Sequence, residues 1–141
     1  MADDGSDFAR SMSIATSGLR AQAGRMRVIS ENIANADSTA PTAAGNPYRR
    51  KVPTFSSALD RTLDARVVML DKVRTDQSAF RVKHEPSNPA ADAAGNVKYP
   101  NVNPLVEMTD MREAQRSYEA NLNIISATRR MIQRTLDILK A

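Results

Sequence analysis

All seven prolines of the chain, at positions 41, 47, 53, 86, 89, 100 and 104, fall in one central stretch. A proline inside a helix removes a backbone hydrogen bond and clashes with the preceding turn, so no long helix crosses that stretch. The flanks are proline-free, and there the apolar residues recur with helical spacing. From about Asp7 to Ala36, residues Phe8, Met12, Ala15, Leu19, Met26, Ile29 and Ile33 alternate steps of three and four, with Gln22 as a polar member. Such spacing aligns one apolar stripe for packing on a partner helix. Ser6 or Asp7 is expected to cap its start. Gly18 and Gly24 each cost about 1 kcal/mol of helix propensity relative to Ala, so this helix needs a partner.

The last flank, from about Glu107 to Leu139, repeats the pattern through Met108, Met111, Tyr118, Leu122, Ile125, Ile132, Leu136 and Leu139, interrupted by Gln115 and Arg129. A second stripe lies beside it at Ala114, Ile124, Met131 and Ile138, with Ser117, Asn121, Thr128 and Thr135 between. At 1.5 Å per residue each helix is on the order of 45 Å long. A simple helix pair leaves the second stripe exposed, and an exposed stripe of that length marks an association surface. The expected fold class is mainly α: long N- and C-terminal helices packing as a coiled-coil-like bundle, with a loop-rich β-hairpin region between.

In that middle region, Arg66–Lys83 reads as two short strands joined around Thr75-Asp76-Gln77-Ser78. Thr54–Ala65 is expected to hold a short helix around Leu59 and Leu63. Asp37-Ser38-Thr39-Ala40-Pro41 ends the first helix, and Pro86–Asn96 is a loop rich in Pro, Asn and Asp. The divisions fall at 1–37, 38–106 and 107–141.

Composition narrows the function more by exclusion than by sign. Leu, Ile, Val and Phe make up roughly a fifth of the chain, near the level at which cores become hard to build, and there is no Trp. The isolated chain is therefore expected to be marginally stable. The net charge of +4 is spread among interleaved acids and bases, with Arg49-Arg50-Lys51 the one triple basic run, so no nucleic-acid-binding stripe forms. Zero cysteines exclude a disulfide scaffold and a thiol nucleophile. The acidic start lacks the pattern of a cleaved secretory signal, and no apolar run has membrane-spanning length. His84, the one histidine, reads as a solvated residue ending a strand, since metal binding or catalysis needs a convergent constellation. Glu107, Asp110 and Glu113 oppose the dipole of the last helix and read as structural. Neither an enzyme nor a cofactor has residues on which to rest.

The helical flanks also carry specific text. Ser17-Gly18-Leu19-Arg20-Ala21-Gln22, then Arg25, then Ile29-Ser30-Glu31-Asn32-Ile33-Ala34-Asn35-Ala36-Asp37-Ser38-Thr39, resembles the N-terminal signature of the bacterial flagellar axial proteins. Tyr99-Pro100-Asn101-Val102-Asn103-Pro104, Glu107-Met108-Thr109-Asp110-Met111 and Glu113–Asn121 resemble the C-terminal signature of the same family. The middle text, Asn46–Pro53 and Ala91–Val97, is similar to the basal-body rod branch, and the excursion from Ser38 to Pro47 replaces the compact turn usual in other rod and hook proteins.

The resemblance implies a structural subunit of the proximal rod, the shaft that passes torque to the hook, with residues 1–37 and 107–141 in the rod core. It implies as partners other rod proteins, copies of itself, the base of the rod at the membrane ring and the flagellar type III export apparatus, with a periplasmic address reached without a cleaved signal. The expected subunit-interface residues are Leu19, Met26, Ile29, Asn32, Ile33, Asn35, Tyr48, Arg49, Arg50, Met111, Tyr118, Glu119, Asn121, Leu122, Ile125, Ile132 and Leu136. The apolar members pack within one subunit or between subunits. Asn32, Asn35, Glu119 and Asn121 either fix register or are solvated. A soluble helical adaptor or secretion chaperone is the alternative that would use the same amphipathic ends.

Overall fold

A computed structural model describes residues 4–140; residues 1–3 and 141, at the ends of the expected first and last segments, lie outside them. The elements run α1 (Asp4–Ala34), β1 (Lys51–Asp60), β2 (Ala65–Thr75), β3 (Arg81–His84), β4 (Asn96–Tyr99) and α2 (Pro104–Lys140). The mainly α class holds: helices of 31 and 37 residues flank two two-stranded sheets, β1-β2 and β3-β4.

The helix ends differ in detail from expectation. α1 starts at Asp4, so the expected start at Ser6 or Asp7 lies inside it; the Asp7 carboxylate accepts from Arg10 Nη1 at 3.3 Å, one turn on. α1 ends at Ala34, where Asn35 Nδ2 donates to the Glu31 carbonyl (2.8 Å) and Ser38 Oγ to the Asn35 carbonyl (2.9 Å), satisfying acceptors that a helix end leaves open. α2 opens at Pro104, where no backbone donor is needed, and Asn103 Oδ1 accepts from the Leu105 N–H at 3.1 Å.

Both middle-region expectations need correction. Thr54–Ala65 holds no helix: its larger part is β1, paired with β2 through the four-residue turn 61–64. The four-residue recurrence of Leu59 and Leu63 is outweighed by Val52, Thr54 and Phe55, which favour strands, and by β2, whose backbone needs a partner. Pro53 is tolerated in β1 because a two-stranded ribbon consists of edges. The turn is set by Asp60 Oδ1, which accepts from the Thr62 N–H at 2.9 Å, and by Asp64 at φ 46°, a region that Asp enters more readily than most residues.

The two segments read as one hairpin are strands, but they do not pair with each other. Asp76 and Ser78, between them, are engaged elsewhere: the Asp76 N–H donates to the Arg50 carbonyl (2.8 Å), and Asn101 Nδ2 donates to the Asp76 carbonyl (3.1 Å) and Ser78 Oγ (2.8 Å). β3 instead pairs antiparallel with β4, in register Arg81↔Tyr99 through His84↔Asn96. The loop closing that pair is fixed by Asp92 Oδ1, which accepts from the N–H groups of Ala94 (2.9 Å) and Asn96 (2.8 Å). His84 ends β3 and is exposed.

The chain divides into two compact units. The first draws on residues up to Met26, on Thr54–Lys72 and on Glu113 onward; the second on Arg27–Pro53 and Val73–Arg112. In the first, Gly18 faces Asn121 and Arg25 Nη2 lies 3.6 Å from Glu113 Oε2, so α1 and α2 run antiparallel there. The helix-weakening glycines serve close approach: a Cβ on Gly18 would stand 2.8 Å from Asn121 Nδ2, and one on Gly24 would stand 2.7 Å from Leu70 Cδ2 of β2. Arg10 Nε donates to the Leu63 carbonyl (2.7 Å) and the Val68 N–H to Ser17 Oγ (3.2 Å), tying the β1-β2 ribbon to α1. In the second unit Ala90, Val97 and Tyr99 form a small core, and Tyr99 Oη donates to Glu85 Oε2 at 2.8 Å.

Ala114, in the first unit, has no exposed surface. Ala114→Leu overpacks this contact and lowers unfolding free energy by about 1–3 kcal/mol. Urea denaturation checks this against Ile138→Leu, which changes an exposed side chain and leaves the midpoint where it was.

Candidate assembly surface

In the first unit α2 turns Ala114, Tyr118, Asn121, Ile125, Thr128 and Ile132 inward, each buried or half-buried. Their steps alternate four and three, the spacing of a single helix seam. This row takes Tyr118, Ile125 and Ile132 from one expected stripe and Ala114, Asn121 and Thr128 from the other. The seam therefore runs between the two stripes and uses small or polar residues for half its length. Asn121 Nδ2 donates to the Ser117 carbonyl at 3.0 Å, so its amide is partly occupied by its own helix.

The consequence lies on the outside. Leu122, Ile124, Met131, Leu136, Ile138 and Leu139 all remain exposed, Ile138 and Leu139 at 76% and 70%. Phe55, Leu59, Val68 and Met69 of the β1-β2 ribbon are exposed as well. Exposed apolar side chains of this kind have a favourable free energy of burial available to a partner.

The second unit is organised around a buried carboxylate. Glu107 and Asn32 are each 1% exposed. Asn32 Nδ2 donates to Glu107 Oε2 (3.0 Å) and to the Lys51 carbonyl (2.8 Å), while Asn32 Oδ1 accepts from Tyr48 Oη (2.8 Å) and the Lys51 N–H (2.9 Å). The other Glu107 oxygen accepts from Arg50 Nε at 2.5 Å, and Arg50 also lies 3.7 Å from Asp110 and 3.9 Å from Asp76. Lys51 Nζ pairs with Glu31. Burial, and after it the Glu31 and Glu107 carboxylates, pushes the Tyr48 hydroxyl from 10.0 up to about 12. The Asp76 carboxyl is held below its ordinary value, first by hydrogen bonds from Ser78.

The expected interface residues divide between these settings. In the first unit Leu19, Met26, Tyr118, Asn121, Ile125 and Ile132 are half-buried, while Glu119, Leu122 and Leu136 face solvent. In the second, Ile29 and Asn32 are buried, and Ile33, Asn35, Tyr48, Arg49, Arg50 and Met111 are half-buried. Tyr48, Arg50 and Asn32 converge on Glu107, whereas Arg49 stacks its guanidinium 4.1 Å from the Phe80 ring centre and donates to the Ser78 carbonyl at 3.2 Å. Asn35 is used at the end of α1. Sequence reasoning missed Glu107 as an anchor, having read it against the helix dipole. The available signal was its place seven residues before Ala114 and fourteen before Asn121. Ile124, Met131, Ile138 and Leu139 were read as stripe members but not as site residues.

Residues 12–40 match the family described as "Flagella basal body rod protein", and residues 93–138 match "Flagellar basal body rod FlgEFG protein C-terminal". Both terminal signatures fall within these matches or overlap them. A flagellar basal-body rod protein FlgC of Agrobacterium fabrum is 52% identical over 91% of this chain and 92% of its own length. The FlgC proteins of Bacillus subtilis and Escherichia coli O157:H7 are 37% and 39% identical over 92% and 89% of this chain, and 97% and 92% of their own lengths. The chain belongs to the FlgC family. It is therefore a flagellar basal-body rod protein, a structural and non-enzymatic component that assembles with other rod subunits. No described helix is long and apolar enough to cross a membrane.

For this FlgC-family chain the Glu107 cluster is a test of folding rather than of chemistry. Arg50→Met leaves a buried carboxylate without its nearest cation and costs about 3 kcal/mol in urea unfolding, against no more than about 0.5 kcal/mol for the exposed Arg112→Met. The raised Tyr48 value has a definite sign. The protonated hydroxyl favours the fold, so its contribution is complete below pH 10 and is lost as pH rises towards about 12. Denaturant midpoints measured across that window fall more steeply for the wild type than for Tyr48→Phe.

Proposed function

We propose that the chain is a subunit of the proximal rod, and that its terminal helices co-assemble with other rod proteins and with copies of itself into the shaft that transmits torque. Residues before 38 and after 106 supply the rod core in this reading, and 38–106 supply the region between. The observation that carries the proposal is the exposure of Leu122, Ile124, Met131, Leu136, Ile138 and Leu139 on a helix whose seam is small or polar for half its length. A subunit whose large side chains are left out of its own seam reserves them for neighbours. Side chains of this size contribute roughly 1.5–3 kcal/mol each when fully buried. Of the expected interface residues, Leu122, Leu136 and Glu119 are presented outward, and the remainder hold the surface in place.

The base of the rod at the membrane ring is the proposed point of attachment, and the flagellar type III apparatus the proposed route out of the cytoplasm, without a cleaved signal. Low intrinsic helix stability at Gly18 and Gly24 suits passage as an unfolded chain followed by ordering on assembly.

The test is purification of intact basal bodies from swimming cells that carry a tag after Ala43, in the exposed turn following Pro41. Cofractionation of the tag with the rod is expected. Retention in the cytosol of swimming cells overturns the proposal and favours an adaptor. Leu122→Asp abolishes swimming while the second unit keeps its fold; full motility of that strain removes Leu122 from the interface.

A further inference from the structure

We propose that Asn101 selects the strand pairing of the middle region, its side-chain amide standing in for a rung at the open end of the β1-β2 ribbon. β1 and β2 are joined at 61–64, so their open end lies at Lys51 and Thr75. Thr54 Oγ1 donates to the Lys72 carbonyl at 2.6 Å; four residues further out on each strand, Arg50 stands against Asp76. Residues that face each other as a bonded pair in an antiparallel ladder exchange two hydrogen bonds, each N–H donating to the other's carbonyl. Here one of the two is direct, from the Asp76 N–H to the Arg50 carbonyl at 2.8 Å. The other is replaced by a side chain: the Arg50 N–H donates to Asn101 Oδ1 (2.8 Å), and Asn101 Nδ2 donates to the Asp76 carbonyl (3.1 Å). A carboxamide offers both the acceptor and the donor of a peptide group, so Asn101 fits between the two backbones as a peptide would. Its Nδ2 also lies 2.8 Å from Ser78 Oγ.

The rung matters because β2 has a second partner within reach. Residues 66–83 hold two strand-prone runs around Thr75-Asp76-Gln77-Ser78, the order of a hairpin of their own. Pairing β2 with β3 would take β3 from β4, which carries Val97 and Tyr99 of the small core. Two sets of bonds hold the linker away from that hairpin. Within it, the Ser78 N–H donates to Asp76 Oδ1 (2.8 Å) and Gln77 Nε2 to the Thr75 carbonyl (3.3 Å), occupying the two backbone groups that a closed 75–78 turn would join. From outside, Asn101 ties Asp76 and Ser78 to Arg50. The second set carries the choice of strand, since it alone reaches the residue next to β1. The neighbouring Pro100 completes the separation: its carbonyl accepts from Arg81 Nε at 3.0 Å, at the start of β3. Adjacent residues thus hold the end of β2 on one side and the start of β3 on the other.

The absence of cysteine from the sequence lets an added thiol report the choice. The full chain carries Asp71→Cys, Val82→Cys and Lys98→Cys, all at exposed positions. Position 82 faces 98 in the observed register, and faces 71 in a hairpin that turns at 75–78. Antiparallel partners stand at Cα separations that a disulfide accepts. After mild oxidation, peptide mass mapping gives the ratio of the 71–82 to the 82–98 disulfide, and the same chain in urea gives the ratio for unfolded protein. With Asn101 in place the 82–98 disulfide is expected to dominate. Asn101→Asp keeps the acceptor for the Arg50 N–H and loses the donor to Asp76 and Ser78. It is expected to raise the 71–82 share about tenfold, as for the loss of one or two net hydrogen bonds, and to carry it past the unfolded ratio. A ratio that stays at the parent value overturns the selection. A ratio that moves no further than the urea value overturns it as well, because Asn101 then supports the fold without choosing between partners.

Discussion

Glu107 cannot be buried as an ion unless its oxygens are met, and meeting them dictates much of what surrounds it. An uncompensated buried charge costs several kcal/mol, so the carboxylate requires a cation and further donors at fixed positions. Arg50 supplies the cation and Asn32 the neutral donor. Asn32 is in turn held by both backbone groups of Lys51 and by Tyr48. The last turns of α1, residues 48–51 and the first turn of α2 are thereby brought to one point. A slip of one residue in any of the three would leave several buried polar groups unpaired at once, and such groups are costly because the local dielectric is low.

The heptad position of Glu107 recurs along α2. Counting by heptads from Glu107 gives Ala114, Asn121 and Thr128, which are buried or half-buried. With those positions inward, Ile124, Met131 and Ile138 fall on one flank of the seam and Leu122 on the other by helical geometry. Apolar pattern by itself predicts the reverse, since the largest side chains ordinarily take the seam.

This explains which parts of the molecule were legible in its sequence. Proline confinement and three-four spacing locate both helices, because those signals are local. Asn32 stood out within the N-terminal signature, yet its partner did not, because the 75 residues between it and Glu107 carry no periodic signal linking them. The ribbon was misread for a related reason. Strand pairing is nonlocal, and whether β2 meets β1 or β3 depends on the hydrogen bonds that Asp76 donates to the Arg50 carbonyl and accepts from Asn101, which no window on 66–83 contains. Gly18 and Gly24 were correctly read as weakening α1, but what offsets that weakness, the approach of Asn121 and Leu70, belongs to tertiary structure.

A seam that is small or polar for half its length, with large aliphatic side chains left exposed, suits a subunit that assembles with other rod subunits. Ala114 and Thr128 bury little apolar area, so the fold of the single chain is held by polar geometry and modest packing. The larger free energy is deferred to association, which must overcome about 4–15 kcal/mol of lost translational and rotational freedom and the ordering of interface side chains. Half a dozen exposed aliphatic side chains, at roughly 1.5–3 kcal/mol for full burial of each, are of the size to meet that cost only when several neighbours cover them together. A single encounter in dilute solution covers too few. Assembly against several rod subunits covers many at once.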